Sequence, residues 1–299
     1  MISSLLLGAA VAPNIAFTAR IYYPYPDKRI SYGRVYTIDW KGGKRTLHSL
    51  AGQDCGQVMW AGRNRLVYEV YNKSLQGTNS LWTVSLPTGK PTLLANGGSL
   101  RPDLLFSYGT DGEAIVELYK QQIKTVDPVS GKLKPFLPRL NAWNVPFGIE
   151  VGVGENKTLG SIESTDKLNP GSFVSISDGV GYLTTGKNEQ IKEVAFSSSI
   201  HHPSTNRLWL ISYDYWRAHS VSRVRWDTGK VQELFVAGRI DWRPDRDHVA
   251  FVTQQSLSPY GPVKKVWTSE LWVAELESGK KRQIKMPLSF LYDVSVSPP

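Results

Sequence analysis

The stretch GRIDWRPDRDHVAFVT (238–253), followed by ELWVAELESGKKRQI (270–284), contains one complete structural unit. A short apolar run ends in the polar turn of GRIDWRPDRD (238–247), and a second run, HVAFVTQ (248–254), follows it. LWVAELESGK (271–280) is a third run that closes on a Gly-Lys turn, and KRQIKM (281–286) is a fourth. Runs of five to eight residues with alternating apolar positions, bounded by Gly, Pro, Asn and Asp, read as β-strands. Glycine at such a turn supplies the positive φ that a tight hairpin needs. The unit is therefore four antiparallel strands.

The rest of the chain repeats it. VYTIDWKGGK (35–44), LWTVSLPTGK (81–90), IKTVDPVSGK (123–132) and VSRVRWDTGK (221–230) all close as the first example does, on Lys44, Lys90, Lys132 and Lys230, with Lys280 completing the series. Successive lysines are 46, 42, 98 and 50 residues apart, so one copy is degenerate; FVSISDGVGY (173–182) is expected to be that copy. NIAFTA (14–19), RLVYEVY (65–71), EAIVELY (113–119), KTLGSIES (157–164) and RLWLISY (207–213) take the second-strand position. QVMWAGRN (57–64) and VAFSSSIHHPSTN (194–206) take the first. Repeats of 40–50 residues with four strands each point to an all-β, six-bladed β-propeller. FLYDVSVSPP (290–299) is an extra first strand, whereas the first unit starts at its second strand. The C-terminal strand is thus expected to complete the N-terminal blade and close the ring, removing open sheet edges.

Composition agrees with a folded chain. Of 299 residues 20% are charged, and 35 Lys and Arg against 26 Asp and Glu give a net charge of +9. That excess favours acidic partners. The cations are scattered rather than gathered in a block, which disfavours nucleic acid. One cysteine, Cys55, excludes an internal disulfide framework and a Cys-rich metal module. Residues 1–12 include the apolar run ISSLLLGAAV (2–11), too short to span a bilayer, which reads as a secretory signal or a loose apolar tail. Residues 13–299 form a single propeller domain, and no transmembrane segment is expected.

IDWRPDRDHVAFVT and ELWVAELESGKKRQI, with NIAFTA and SLWTVSLPTGK, resemble the TolB-like, WD-like propeller repeat. The resemblance runs from Asn14 to Pro299, is weakest in blades 3 and 4, and lacks the extra N-terminal domain of TolB. It implies an exported, periplasmic or secreted protein, with activities ranging from protein binding to polysaccharide cleavage. It also implies that strand three–four hairpins and strand one–two turns share one face. The strand two–three loops and inter-blade loops then line the other, where ligands usually bind.

Sorted on that basis, the five Gly-Lys lysines form a ring on the first face. The ring reads as an anionic-surface site or simply as soluble hairpin ends. On the second face the long loops belong to blades 5, 6 and 1. Blade 1 offers Tyr22, Tyr23, Tyr25, Lys28 and Arg29, with Tyr32 nearby. Blade 5 offers Tyr215, Trp216, Arg217 and His219, and blade 6 offers Tyr260, Lys264, Lys265 and Trp267. Aromatic rings beside cations suit a ligand with flat apolar faces and negative charge. The competing reading is that these aromatics pack between blades. His201 and His202 adjoin in one turn, His48, His219 and His248 are isolated, and Cys55 could act as a nucleophile only with a histidine supplied by folding. Neither a metal site nor a catalytic base stands out, and no cofactor is expected. The sequence therefore points to a non-catalytic scaffold binding a protein or peptide through an aromatic-basic loop face. The alternative is a protein that binds or cleaves acidic polysaccharide.

Overall fold

In the computed structural model the described residues are 14–22, 32–72, 79–101, 108–109, 113–119, 121–136, 139–140, 173–177, 180–187, 190–196, 198–202, 207–213, 219–225, 231–241, 248–253, 255–260, 264–275 and 278–298. For 108–109, 139–236 and 258–264 the description is of the backbone. Every regular element among them is a strand.

The first sheet takes β1 (Ile15–Ile21), β2 (Arg34–Ile38) and β3 (Thr46–Leu47), and the second takes β4 (Cys55–Trp60), β5 (Arg65–Tyr71), β6 (Asn79–Ser85) and β7 (Thr92–Asn96). Then come β8 (Gly98–Leu100), β9 (Tyr108–Gly109), β10 (Ala114–Leu118), β11 (Gln122–Val126), β12 (Leu133–Pro135) and β13 (Arg139–Leu140). Of these, β8, β10, β11 and β12 form the third sheet, and β9 pairs with β13 as a small ribbon. β14 (Phe173–Ser177), β15 (Val180–Lys187) and β16 (Gln190–Phe196) make a three-stranded fourth sheet. β17 (Ser198–His202), β18 (Arg207–Tyr213), β19 (His219–Arg225) and β20 (Val231–Ala237) make the fifth. The remaining strands are β21 (Arg239–Asp241), β22 (His248–Val252), β23 (Ser256–Tyr260), β24 (Lys264–Thr268), β25 (Leu271–Glu275), β26 (Lys281–Ile284) and β27 (Ser289–Val296). The sixth sheet is β21, β22, β25 and β26, while β23 and β24 pair as a second ribbon.

β27 does not join the sheet of its sequence neighbours. It pairs with β1, Val296 opposite Ile15 and Ser289 opposite Ile21, so the first sheet runs β27-β1-β2-β3. Hydrogen bonds hold this strand from both sides. The Asp241 carboxylate at the end of β21 accepts the Val296 N–H (2.6 Å) and the Ser295 hydroxyl (3.0 Å). From β4, the Val58 N–H donates to Asp293 Oδ2 (3.0 Å) and the Trp60 indole N–H donates to the Ser295 carbonyl (3.1 Å).

The sixth, first, second and third sheets pack face against face in succession, so the second strands β1 and β5 are apolar on both sides. Ile15, Phe17 and Ala19 of β1 lie in one core with Ala250, Val252, Leu271 and Val273 of the sixth sheet. Ala16, at an alternate position, lies in another core with Val58, Trp60, Leu66 and Tyr68 of the second sheet. β5 does the same: Leu66 and Tyr68 face the first sheet, and Val67 packs with Ala114 and Val116 of the third. A period of two explains the division, since adjacent residues of a strand point to opposite faces. Trp60 and Tyr68 are wholly buried; burying each such side chain contributes about 1.5–3 kcal/mol.

The hairpin ends of neighbouring sheets interlock, as expected for one shared face. The Arg282 guanidinium donates to the carbonyls of Trp40 and Lys41, and the Trp40 ring lies 5.5 Å from that of His248. Likewise, Arg65 donates to the Pro128 and Val129 carbonyls (3.2 and 2.9 Å). Lys44, Lys90, Lys132 and Lys280 are all exposed, and Lys230 lies outside the described residues.

Three sequence expectations need correction. FVSISDGVGY is not a single strand ending in a turn: Phe173–Ser177 pairs with Val180–Lys187, Ser177 opposite Val180. The Gly-Lys step of this unit is instead Gly186-Lys187, with Lys187 opposite Gln190 at the head of the β15–β16 hairpin. Val194–Phe196 accordingly ends the fourth sheet, and the first strand of the fifth begins at Ser198. His201 and His202 occupy the last two positions of that strand, opposite Leu208 and Arg207, rather than a turn. KTLGSIES (157–164) and residues 1–12 lie outside the described residues.

Candidate functional site

SLSPYGPVKKVW (256–267), expected as a loop, is built as the β23–β24 ribbon. Leu257 pairs with Trp267, Pro259 with Lys265 and Tyr260 with Lys264. Proline is tolerated on a strand with an unpaired edge, and Pro259 occupies such a strand. The base of the ribbon is well tied. The Ser256 and Thr268 hydroxyls meet at 3.2 Å, Glu270 N–H donates to Thr253 Oγ1 (2.8 Å), and Leu291 N–H donates to Ser269 Oγ (2.8 Å). On this base the cross-strand pair Leu257 and Trp267 stands 48% and 53% exposed, and Lys265 is exposed as well.

Tyr22 has a different role from the one expected of it. It is buried, and its hydroxyl donates to the Trp267 carbonyl (3.1 Å) while its N–H donates to the Leu288 carbonyl (2.9 Å). A phenol so placed is a strut, with an apolar body and a satisfied polar tip. The Tyr22 hydroxyl thus meets the backbone of Trp267, two residues along β24 from Lys265, and Tyr260 is paired with Lys264 at the other end of the ribbon. His219 opens β19 opposite Tyr213 and Ala237. Tyr23, Tyr25, Lys28, Arg29, Tyr215, Trp216 and Arg217 lie outside the described residues.

A second feature, which no sequence motif marks, lies where the first sheet hands over to the second. Both inner strands carry a β-bulge there. Thr18 pairs with Asp293 and Ala19 with Leu291, so Tyr292 is the extra residue in β27. In β4 the register shifts between Cys55 and Val58, so Gly56 and Gln57 together oppose Glu69. Bulges re-aim side chains and are over-represented beside functional sites. Here they gather carboxylates. Glu69 is buried and accepts the Leu100 N–H (2.7 Å), Asn79 Nδ2–H (3.0 Å) and the Gln57 N–H. Burial raises its pKa, and burial carries that of Asp293 up to about 7. A Cβ on Gly56 would meet the Tyr71 hydroxyl at 2.8 Å, so this glycine makes room for the phenol. Burial and then the charges of Glu69, Asp54 and Asp293 raise the Tyr71 pKa, although Arg239 opposes them.

Beside Tyr71 is an open depression of about 340 Å³, lined by Tyr32, Gln53, Asp54, Tyr71, Asn72 and Trp82, among others. Asp54 Oδ1 accepts the Gly33 N–H (2.8 Å), and the Trp82 indole N–H donates to Ser80 Oγ (3.1 Å). The sequence signals were present: Asp54 and Gln53 stand in LAGQDCG (50–56), and Asn72 begins the polar NKSLQGTN (72–79). They went unread because a lone carboxylate and a carboxamide have no spacing signature.

The nucleophile candidates are quiet. Cys55 is wholly buried and unpaired, and burial pushes its thiol up to about 12, far from a reactive thiolate. His48 is buried, with Nε2 at 2.8 Å from Thr37 Oγ1, and burial lowers its pKa to about 4. Among the described residues no group of three or more His, Cys, Asp or Glu is placed to hold a metal ion. Nor, among them, is any helix long and apolar enough to cross a membrane.

No family model matches the chain, and no curated protein matches it in sequence. Solved structures do. TolB from Acinetobacter baumannii aligns over 96% of this chain and 67% of its own, with a TM-score of 0.51 and 10% identity. A putative 6-phosphogluconolactonase from Bacteroides fragilis aligns over 97% and 99%, with a TM-score of 0.44 and 9% identity. The AtxE2 isopeptidase aligns over 92% and 53%, with a TM-score of 0.40 and 12% identity. At such identities the likeness to TolB is one of fold. With its four-stranded antiparallel sheets, the chain has a TolB-like β-propeller fold.

Proposed function

We propose that this protein is a non-catalytic scaffold, a six-bladed propeller whose ring is closed by β27, and that it binds a protein or peptide segment through the aromatic-basic face of blades 5, 6 and 1. The observation that carries the reading is the β23–β24 ribbon. An exposed Trp beside an exposed Leu, with Lys265 two residues before the Trp and a base fixed to two neighbouring strands, is a costly surface for an unpartnered protein. Trp at the centre of such a patch is the side chain most often found to dominate binding. The cations favour a partner segment that mixes acidic and apolar residues. The apolar N-terminal run and the TolB-like repeat support a periplasmic or secreted setting.

The test is affinity capture from envelope and secreted extract with wild type and with a Trp267→Ala, Lys265→Ala double variant of unchanged melting temperature. A partner retained by wild type and lost by the variant supports the reading. Equal capture by both would remove the ribbon from any binding role.

A further inference from the structure

The depression between the first two sheets makes two complementary demands on an occupant. Gln53 is nine-tenths buried, and its Oε1 is committed to the Leu50 N–H (2.8 Å) and the Tyr68 hydroxyl (3.1 Å). Its Nε2 is buried with no hydrogen-bond partner. Turning the amide over would not satisfy it, because the Leu50 N–H would then face a donor. An unpaired buried donor costs about 1–3 kcal/mol, so this nitrogen calls for an acceptor. Asp54 makes the opposite demand. Among the described residues its Oδ1 takes the Gly33 N–H and its Oδ2 takes none, so it calls for a donor. Tyr32, Tyr71 and Trp82 complete the lining with flat apolar area.

Three classes of small ligand can be weighed against these demands. An ammonium group would satisfy Asp54 and leave Gln53 unpaired. A carboxylate or phosphate would satisfy Gln53 and set its own charge against the Asp54 carboxylate. A hydroxyl both accepts and donates, and a ring of hydroxyls with an apolar face also covers aromatic side chains. The volume is at the small end of the range for ligand pockets. We propose that this depression binds a ring of an uncharged saccharide, its apolar face on the aromatic side chains and its hydroxyls shared between Gln53 and Asp54. This site is separate from the ribbon and stands or falls without it.

Saturation-transfer NMR on the full chain tests the assignment with named probes. Maltose, cellobiose and diacetylchitobiose are the uncharged probes, digalacturonic acid is the anionic one, and an N-acetylated trialanine amide presents peptide backbone. At least one uncharged disaccharide is expected to bind saturably and more tightly than digalacturonic acid. Asp54→Asn keeps an acceptor for the Gly33 N–H and should weaken that disaccharide roughly tenfold. Lys90→Ala, on the hairpin face, should leave it unchanged. Trp82→Leu gives a second variant should Asp54→Asn fail to fold, and the ranking of probes on wild type needs no variant. Absence of saturable binding by all three uncharged sugars, tighter binding of digalacturonic acid, binding of the trialanine amide alone, or a disaccharide affinity unmoved by both variants would each overturn the proposal.

Discussion

Asp293 and His48 couple folding to pH in opposite senses. Asp293 is held protonated in the folded state to about pH 7, well above an unfolded aspartate near 3.9, so the native state binds more protons between those values. Its contribution to stability therefore falls as pH rises from about 4 to 7. His48 titrates near 4 when folded and near 6.5 when unfolded, so its contribution rises with pH over that window and is lost as pH falls through it. Single variants separate the two. Asp293→Asn keeps an acceptor for the Val58 N–H, so its melting temperature should gain on wild type between pH 4 and 7 and run parallel above. A difference that stays constant over that range would show that Asp293 is ionised in the folded protein. Close approach sets a third sensitivity. A Cβ at Gly33 would lie far inside van der Waals contact with the Cys55 carbonyl, which is backbone and cannot turn aside. Gly33→Ala should destabilise by about 1–3 kcal/mol, measurable by urea titration.

Among the elements, the ribbon depends most on one neighbour. Tyr22→Phe removes the hydroxyl that reaches the Trp267 carbonyl and little else. The expected result is a stability loss of about 1 kcal/mol together with faster amide exchange at Lys265–Thr268. Unchanged exchange there would mean that the ribbon is held by its base alone. Elements also show where sequence reading works and where it stops. The second strands β1 and β5 were legible because a sheet packed on both faces leaves a nearly unbroken apolar run, as in IAFTARI and RLVYEVY. The fourth sheet was misread because Gly-Lys sits at the strand end in YLTTGK, whereas FVSISDG presents a decoy glycine one hairpin earlier. The ribbon read as a loop because Pro and Gly punctuate a segment whose pairing is independent of the main sheet. Trp267 could be nominated for binding from its composition and neighbours, but Tyr22 could not be recognised as a strut, since burial is a property of the assembled sheets.

At the scale of the molecule, the decisive feature is that β1 waits for β27. Asp241 is the latch: Asp241→Ala would remove the carboxylate that accepts from the Val296 N–H and the Ser295 hydroxyl, at a cost of about 1–3 kcal/mol, lowering the urea midpoint. Moving residues 287–298 ahead of Asn14 should preserve the fold, because the Ser297 N–H already donates to the Asn14 carbonyl (2.8 Å) and Val296 lies opposite Ile15. Such a permutant would join β27 to β1 as an ordinary hairpin and should fold faster than wild type, since loop closure over nearly the whole chain no longer precedes the pairing. An unchanged refolding rate would place that pairing after the rate-limiting step. The same arrangement bears on synthesis. During translation β1 emerges with one edge bare, and the strand that covers it emerges some 270 residues later. A ribosome that stops before β27, or a protease that removes it, leaves that edge exposed. The intactness of the polypeptide is thus written into its solubility, and a cell that clears sticky edges would clear incomplete copies first.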